Sequence, residues 1–295
     1  MTEYGISVAP PVLSWELHDV ERRFGFPAGK FTRAGIVSSF LLGVAFACVF
    51  YAVLWPLGRP SLRGTLPGTV HAMFYERGLI PFAEALCAGW ALAILAVKWR
   101  KLCFQRRALE HDVVPAAADF ILSPDTAGVV LANIERLVDH PRHFILFSRL
   151  ASTLSNLRNL GRVGDVDELL SRQADIADGE NESTYGLLKG LVWAIPVLGF
   201  IGTVIGLSQA IGSFGSVLTE GAGVGDLKDG LQQVTAGLSV AFDTTLTGLA
   251  LALLAQLLMV VEKSSEHQFL DECREYCHRR LVSRLRLLPL DGNGG

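Results

Sequence analysis

GLVWAIPVLGFIGTVIGLSQAIG, residues 190–212, decides the fold. It holds no charged residue and exceeds the roughly 20 apolar residues that a helix needs to span a bilayer. A second such stretch, LQQVTAGLSVAFDTTLTGLALALLAQLLMVV, fills residues 231–261 and carries one ionisable residue, Asp243. On the first, Pro196, Gly199, Thr203, Gly206 and Ala210 recur at spacings of three and four and so share one helical face. On the second, Gly237, Ala241, Thr245, Gly248 and Ala252 do the same. Each face is a strip of small residues with one hydroxyl near its middle.

Such strips let membrane helices approach closely, because lipid gives no hydrophobic reward for association and packing must supply it. Packing alone would explain them, with Thr203 and Thr245 bonding back to their own backbones. The alternative is a polar path. At about 1.5 Å per residue, the two hydroxyls lie at similar depths, roughly 20 and 24 Å from the same end.

Length and composition point the same way. Half of the 295 residues are hydrophobic and 19% are charged, a membrane-protein composition. The net charge of −3 gives no basis for binding nucleic acid. Of five cysteines, Cys48 and Cys87 fall in apolar spans and Cys103, Cys273 and Cys277 flank basic segments. No disulfide framework follows, and Cys273, Cys277 and His278 are too few for a zinc site.

Residues 34–97 hold two more spans, Ala34–Trp55 and Leu79–Val97, joined by an outside loop rich in Gly and Pro. Residues 1–33 read as a cytoplasmic leader with no cleavable signal peptide, and residues 15–26 as a short interfacial helix. Glu84 in the second span reads either as a functional acid or as one near the interface reached by water, and the second is the expectation. Lys98, Arg100, Lys101, Arg106 and Arg107 follow that span and set the orientation, with both termini inside.

Residues 98–189 are expected to form a cytoplasmic helical region. One helix starts at Ser123-Pro124-Asp125. A second carries Phe147, Leu150, Leu154 and Leu157. A third is capped by Asp165 with Glu168 and runs toward the third span. The Gly-rich segment 213–230 reads as an outside loop. Residues 262–295 form a cytoplasmic helix to about Leu288 and a tail. Its stripe of Leu270, Cys273, Cys277, Leu281 and Leu285 suits packing on the 98–189 region or a neighbouring subunit. The fold class is therefore all-α, a polytopic membrane protein with four transmembrane helices.

LGFIGTVIG (198–206), GLSVAFDTTLTGL (237–249) and Pro196 resemble the MotA/TolQ/ExbB ion-channel family over roughly residues 185–265. In that family a glycine-threonine pair on one helix and a threonine-x-x-glycine on the next line an ion path. Gly202 with Thr203, and Thr245 with Gly248, match these positions, and Pro196 matches the proline opening the first motif. The resemblance implies an ion channel subunit, with the proton as the expected ion, in an inner-membrane motor complex. Five copies would surround two copies of a single-span MotB/TolR/ExbD-type partner bearing a membrane aspartate. Four spans look like the flagellar stator branch, whereas the motif spelling looks closer to TolQ and ExbB.

Thr203 and Thr245 are then the ion-pathway residues. Pro196, Gly199, Gly202, Gly206, Gly237, Ala241 and Gly248 shape the helix packing and pore. Neither strip holds an acid. Asp243 aligns with Ala236, Val240, Thr247 and Ala250. It reads as a gate, the point where the ion enters or a polar contact between subunits, or else as an acid satisfied by water or a hydroxyl such as Thr247. No cofactor or metal is expected beyond transported H+ or Na+. No nucleophile-base pair or phosphate loop suggests an enzyme. The alternative from another class is a helical membrane scaffold that does not conduct.

Overall fold

Nothing in residues 36–54 interrupts a helix, since no charge, proline or polar cluster occurs there, and they form α2 (Ile36–Leu54). The computed structural model describes residues 12–18, 21, 31–62, 64–115, 121–157, 163–219 and 224–286. Within these, α1 is a single turn (Trp15–His18). It is followed by α2, α3 (Leu66–Tyr75), α4 (Leu79–Arg106), α5 (Ala127–Leu137) and α6 (Ile145–Asn156). The last three are α7 (Val163–Thr184), α8 (Gly186–Thr219) and α9 (Val224–Arg280). Among the described residues, four helical stretches are long and apolar enough to cross a membrane, those containing α2, α4, α8 and α9. The chain is an all-α, multi-pass membrane protein.

It divides into two units. The flanking unit comprises residues 1–35, 97–184 and 263–295, and the span unit residues 36–96 and 185–262.

The flanking unit has a conventional apolar core. Leu102, Phe104, Val130, Ile134, Phe144, Phe147, Leu150, Leu154, Val166, Phe269, Cys273 and Cys277 bury one face of each helix. The stripe of α9 packs on the 98–189 region of the same chain. Cys273 and Cys277 are packing groups, and burial pushes the Cys277 thiol up to about 11. The leader is stitched on through Asp139, whose carboxylate accepts bonds from Ser14 Oγ at 2.9 Å, Trp15 N at 2.9 Å and Glu16 N at 3.2 Å. Trp15 is buried against Phe104 and Phe144. Lys101 closes the stitch by binding Glu21 and the Arg33 carbonyl.

Several boundaries differ from expectation. The segment after α2 is not an open loop: it holds two 3-10 turns and α3, which buries Phe74 against Leu54 and Ala85. Pro67 near its start costs nothing there, because the first helical N–H groups have no intrahelical partner anyway. Much of the expected outside loop 213–230 is helical, since α8 runs to Thr219 and α9 starts at Val224. Once a helix is nucleated, each added residue gains a backbone bond, and a glycine costing about 1 kcal/mol does not stop it. Asp165 lies in the first turn of α7 rather than at its cap. The C-terminal helix ends at Arg280, beyond which Leu285 pairs with Leu122 in a single bridge. Most of the expected 15–26 helix, Leu288 and the tail lie outside the described residues.

Candidate functional site

The glycines of α8 and α9 determine how closely the two helices meet. A Cβ built on Gly206 would sit 2.9 Å from the Gly237 carbonyl, and one on Gly237 would sit 2.7 Å from Ala210 Cβ. One on Gly202 would meet Thr244 Oγ1 at 2.5 Å. No side chain fits in these places: backbone lies against backbone at Gly199, Gly206 and Gly237, and the Thr244 side chain fills the space beside Gly202, along a seam that also includes Ala241 and Gly248. Both strips read from the sequence thus face each other within one chain. Pro196 lies inside α8 and leaves the Val192 carbonyl without its usual helical partner.

The two threonines singled out by the sequence behave differently. Thr203 Oγ1 donates to the Phe200 carbonyl of its own helix at 2.6 Å. Thr245 Oγ1 crosses the seam to the Gly199 carbonyl at 3.2 Å. Both side chains are half-buried. The hydroxyls do not bond to each other.

Two further threonines, outside the small-residue strips, are more deeply placed. Thr244 is 1% exposed, and its hydroxyl donates to the Ala241 carbonyl at 3.0 Å. Thr247 donates to Glu84 Oε2 at 2.7 Å and lies 2.9 Å from the Thr244 carbonyl. Glu84 is not an interface acid reached by water: its side chain is fully buried. It comes from α4, which lies over the seam, with Ala88 packing on Ile195 and Ala252. The signal was available in the sequence as a TTLTG run, with Thr244, Thr247 and Gly248 three and four apart. Its partner, however, lies 163 residues away.

Asp243 is also paired within the chain. Arg77 Nη2 lies 2.7 Å from Asp243 Oδ2 and 3.0 Å from Ser239 Oγ. Thr247, offered by the sequence as a partner for Asp243, serves Glu84 instead. The seam therefore offers a row of hydroxyls and carbonyls, one fully buried carboxyl and, further along α9, an ion pair. These groups suit transient ligation of a small cation.

The sequence profile of the MotA/TolQ/ExbB proton channel family matches residues 142–274, which include all of α8 and the apolar part of α9. No curated protein and no solved structure matches the chain.

Proposed function

Through residues 142–274 this chain belongs to the MotA/TolQ/ExbB proton channel family, and on that premise we propose that it is the ion-conducting subunit of a motor complex in the bacterial inner membrane. Ion flow, of protons in this reading, would move a partner that carries a membrane aspartate. The family match across the seam-forming helices is the observation that carries the reading. The partner would be a single-span protein of the MotB/TolR/ExbD type, two copies within a ring of five channel subunits. Both termini would be cytoplasmic, from the cluster Lys98, Arg100, Lys101, Arg106 and Arg107 after the second span.

Thr203 and Thr245 would line the path, relaying water or ligating the ion while the partner's acid changes protonation. Asp243, held by Arg77, would act as a gate that an arriving cation opens by competing for the carboxylate. Pro196, Gly199, Gly202, Gly206, Gly237, Ala241 and Gly248 would set the pore shape. The transported ion would be the one non-protein component needed.

The test is ion flux in proteoliposomes holding the purified complex. Thr203→Val and Thr245→Val are expected to abolish flux while assembly persists. Unchanged flux in both would remove the lining role. The non-conducting scaffold reading is supported by one observation, the Thr203 hydroxyl bonded back to Phe200. That reading requires both valine variants to be silent. It also requires native mass spectrometry to find no small single-span partner.

A further inference from the structure

The Glu84 carboxyl is fully buried yet only half satisfied. Oε2 accepts the Thr247 hydroxyl at 2.7 Å, whereas Oε1 has no hydrogen-bond partner. Oε1 points into the seam: a Cβ built on Gly248 would lie 3.0 Å from it, and one on Gly199 3.2 Å. The other atoms crowding those two positions include acceptors, the Ile195 carbonyl 3.1 Å from the Gly248 point and the Thr244 carbonyl 3.0 Å from the Gly199 point. The two glycines thus clear a notch that the acid fills and no side chain can share.

Among the described residues, no basic side chain neutralises it. Arg77 is engaged by Asp243. Tyr51 on α2 and Cys87 on its own helix lie close enough to feel its charge, and neither is cationic. Neither α8 nor α9 sets a charged group against it among the described contacts. A carboxylate buried among acceptors without a cation is costly enough that it neutralises or binds one.

We propose that Glu84 is an ion-binding carboxyl of this chain, taking a proton or a sodium ion on Oε1 in the notch between Gly199 and Gly248 while Thr247 holds Oε2. With a proton, an O–H bond forms on Oε1 and donates to a neighbouring carbonyl. On release that bond breaks, the proton passes to water, and the carboxylate keeps the Thr247 bond alone. With sodium, Oε1 and carbonyl oxygens ligate the ion and no covalent bond changes. The proposal rests on the channel reading and deepens it by giving the subunit an acid beyond the one its partner supplies.

The test combines infrared difference spectroscopy with flux on the full complex in lipid, comparing wild type, Glu84→Gln and Thr247→Val. The expected result is a protonated-carboxyl band in wild type that disappears on raising the pH without sodium. That band is absent in Glu84→Gln and shifted in Thr247→Val, and flux is lost in Glu84→Gln. Disappearance of the band on adding sodium at fixed pH assigns the site to both ions, and indifference to sodium assigns it to the proton. A band unaffected by pH and sodium, or Glu84→Gln assembling and conducting like wild type, overturns the proposal. If Glu84→Gln fails to assemble, the response of the wild-type band and its shift in Thr247→Val decide. A responsive band in a complex that conducts nothing would retain the ion site and discard the channel reading.

Discussion

The flanking unit buries large aromatic side chains: Trp15, Phe144, Phe147 and Phe269 are exposed to 1% or less. In the span unit Trp193 is 71% exposed, Phe200 65% and Phe242 65%, while Gly199, Gly202 and Gly206 are buried. The solvent explains the reversal. Water drives large apolar groups inward. Lipid is as apolar as leucine and leaves association to close packing and hydrogen bonds. Polar groups follow the same division. Buried ones in the flanking unit join segments, as Gln105 does by accepting Ile145 N and donating to the His143 carbonyl, whereas Glu84, Thr244 and Thr247 of the span unit gather at the seam.

The largest expected effect tests the flanking core directly. Phe147→Ala should cost about 3–5 kcal/mol of that unit's stability, read as a lowered melting midpoint and early protease cleavage within residues 97–184. Phe200→Ala, the same truncation at an exposed position of the span unit, should stay within about 0.5 kcal/mol. An equal loss in both would break the comparison.

Seam glycines come next. Gly206→Val drives a side chain into the Gly237 carbonyl and should cost roughly 3 kcal/mol by overpacking, seen as loss of the assembled species on size exclusion. Gly212→Ala meets nothing within 4 Å and should be neutral, or stabilising by up to about 1 kcal/mol.

Arg77→Ala leaves Asp243 partly buried and unpaired and should cost on the order of 1–3 kcal/mol. The exchanged pair Arg77→Asp with Asp243→Arg should recover part of that loss. No recovery would show that Ser239 or backbone geometry, rather than the ion pair, matters there.

The smallest effect concerns Asp139. Burial pushes its carboxyl up, but bonds from Trp15 N, Glu16 N, Ser14 Oγ and His140 N outweigh burial and leave it below the ordinary range. A depressed value means that its stabilisation is complete above the unfolded value of roughly 3.9 and disappears as pH falls through the folded one. Limited acid proteolysis should free the leader in that window, and Asp139→Asn should remove the pH dependence.

Glycine at threes and fours was legible as the face along which α8 and α9 approach, because helical periodicity is a local property. The same counting could not place Glu84. Its role depends on α4 lying over a seam formed by two other helices, and an acid at that position looks alike in sequence whether it faces water or Gly248. The partner of Asp243 was not legible for a related reason: Arg77 precedes the second span and shares no helical repeat with it. The helix Leu66–Tyr75 was obscured by Gly and Pro, whose cost is small at a helix start and is offset by burying Phe74.

The sequence alone determined that this chain crosses a membrane four times and that two of its helices must pack through glycine, because hydropathy and periodicity act along the chain. Only the tertiary structure decided which groups fill that seam. Contacts between helices distant in the chain choose the partner of each buried polar atom, and thus bring Glu84, Thr247 and the two glycines to one place.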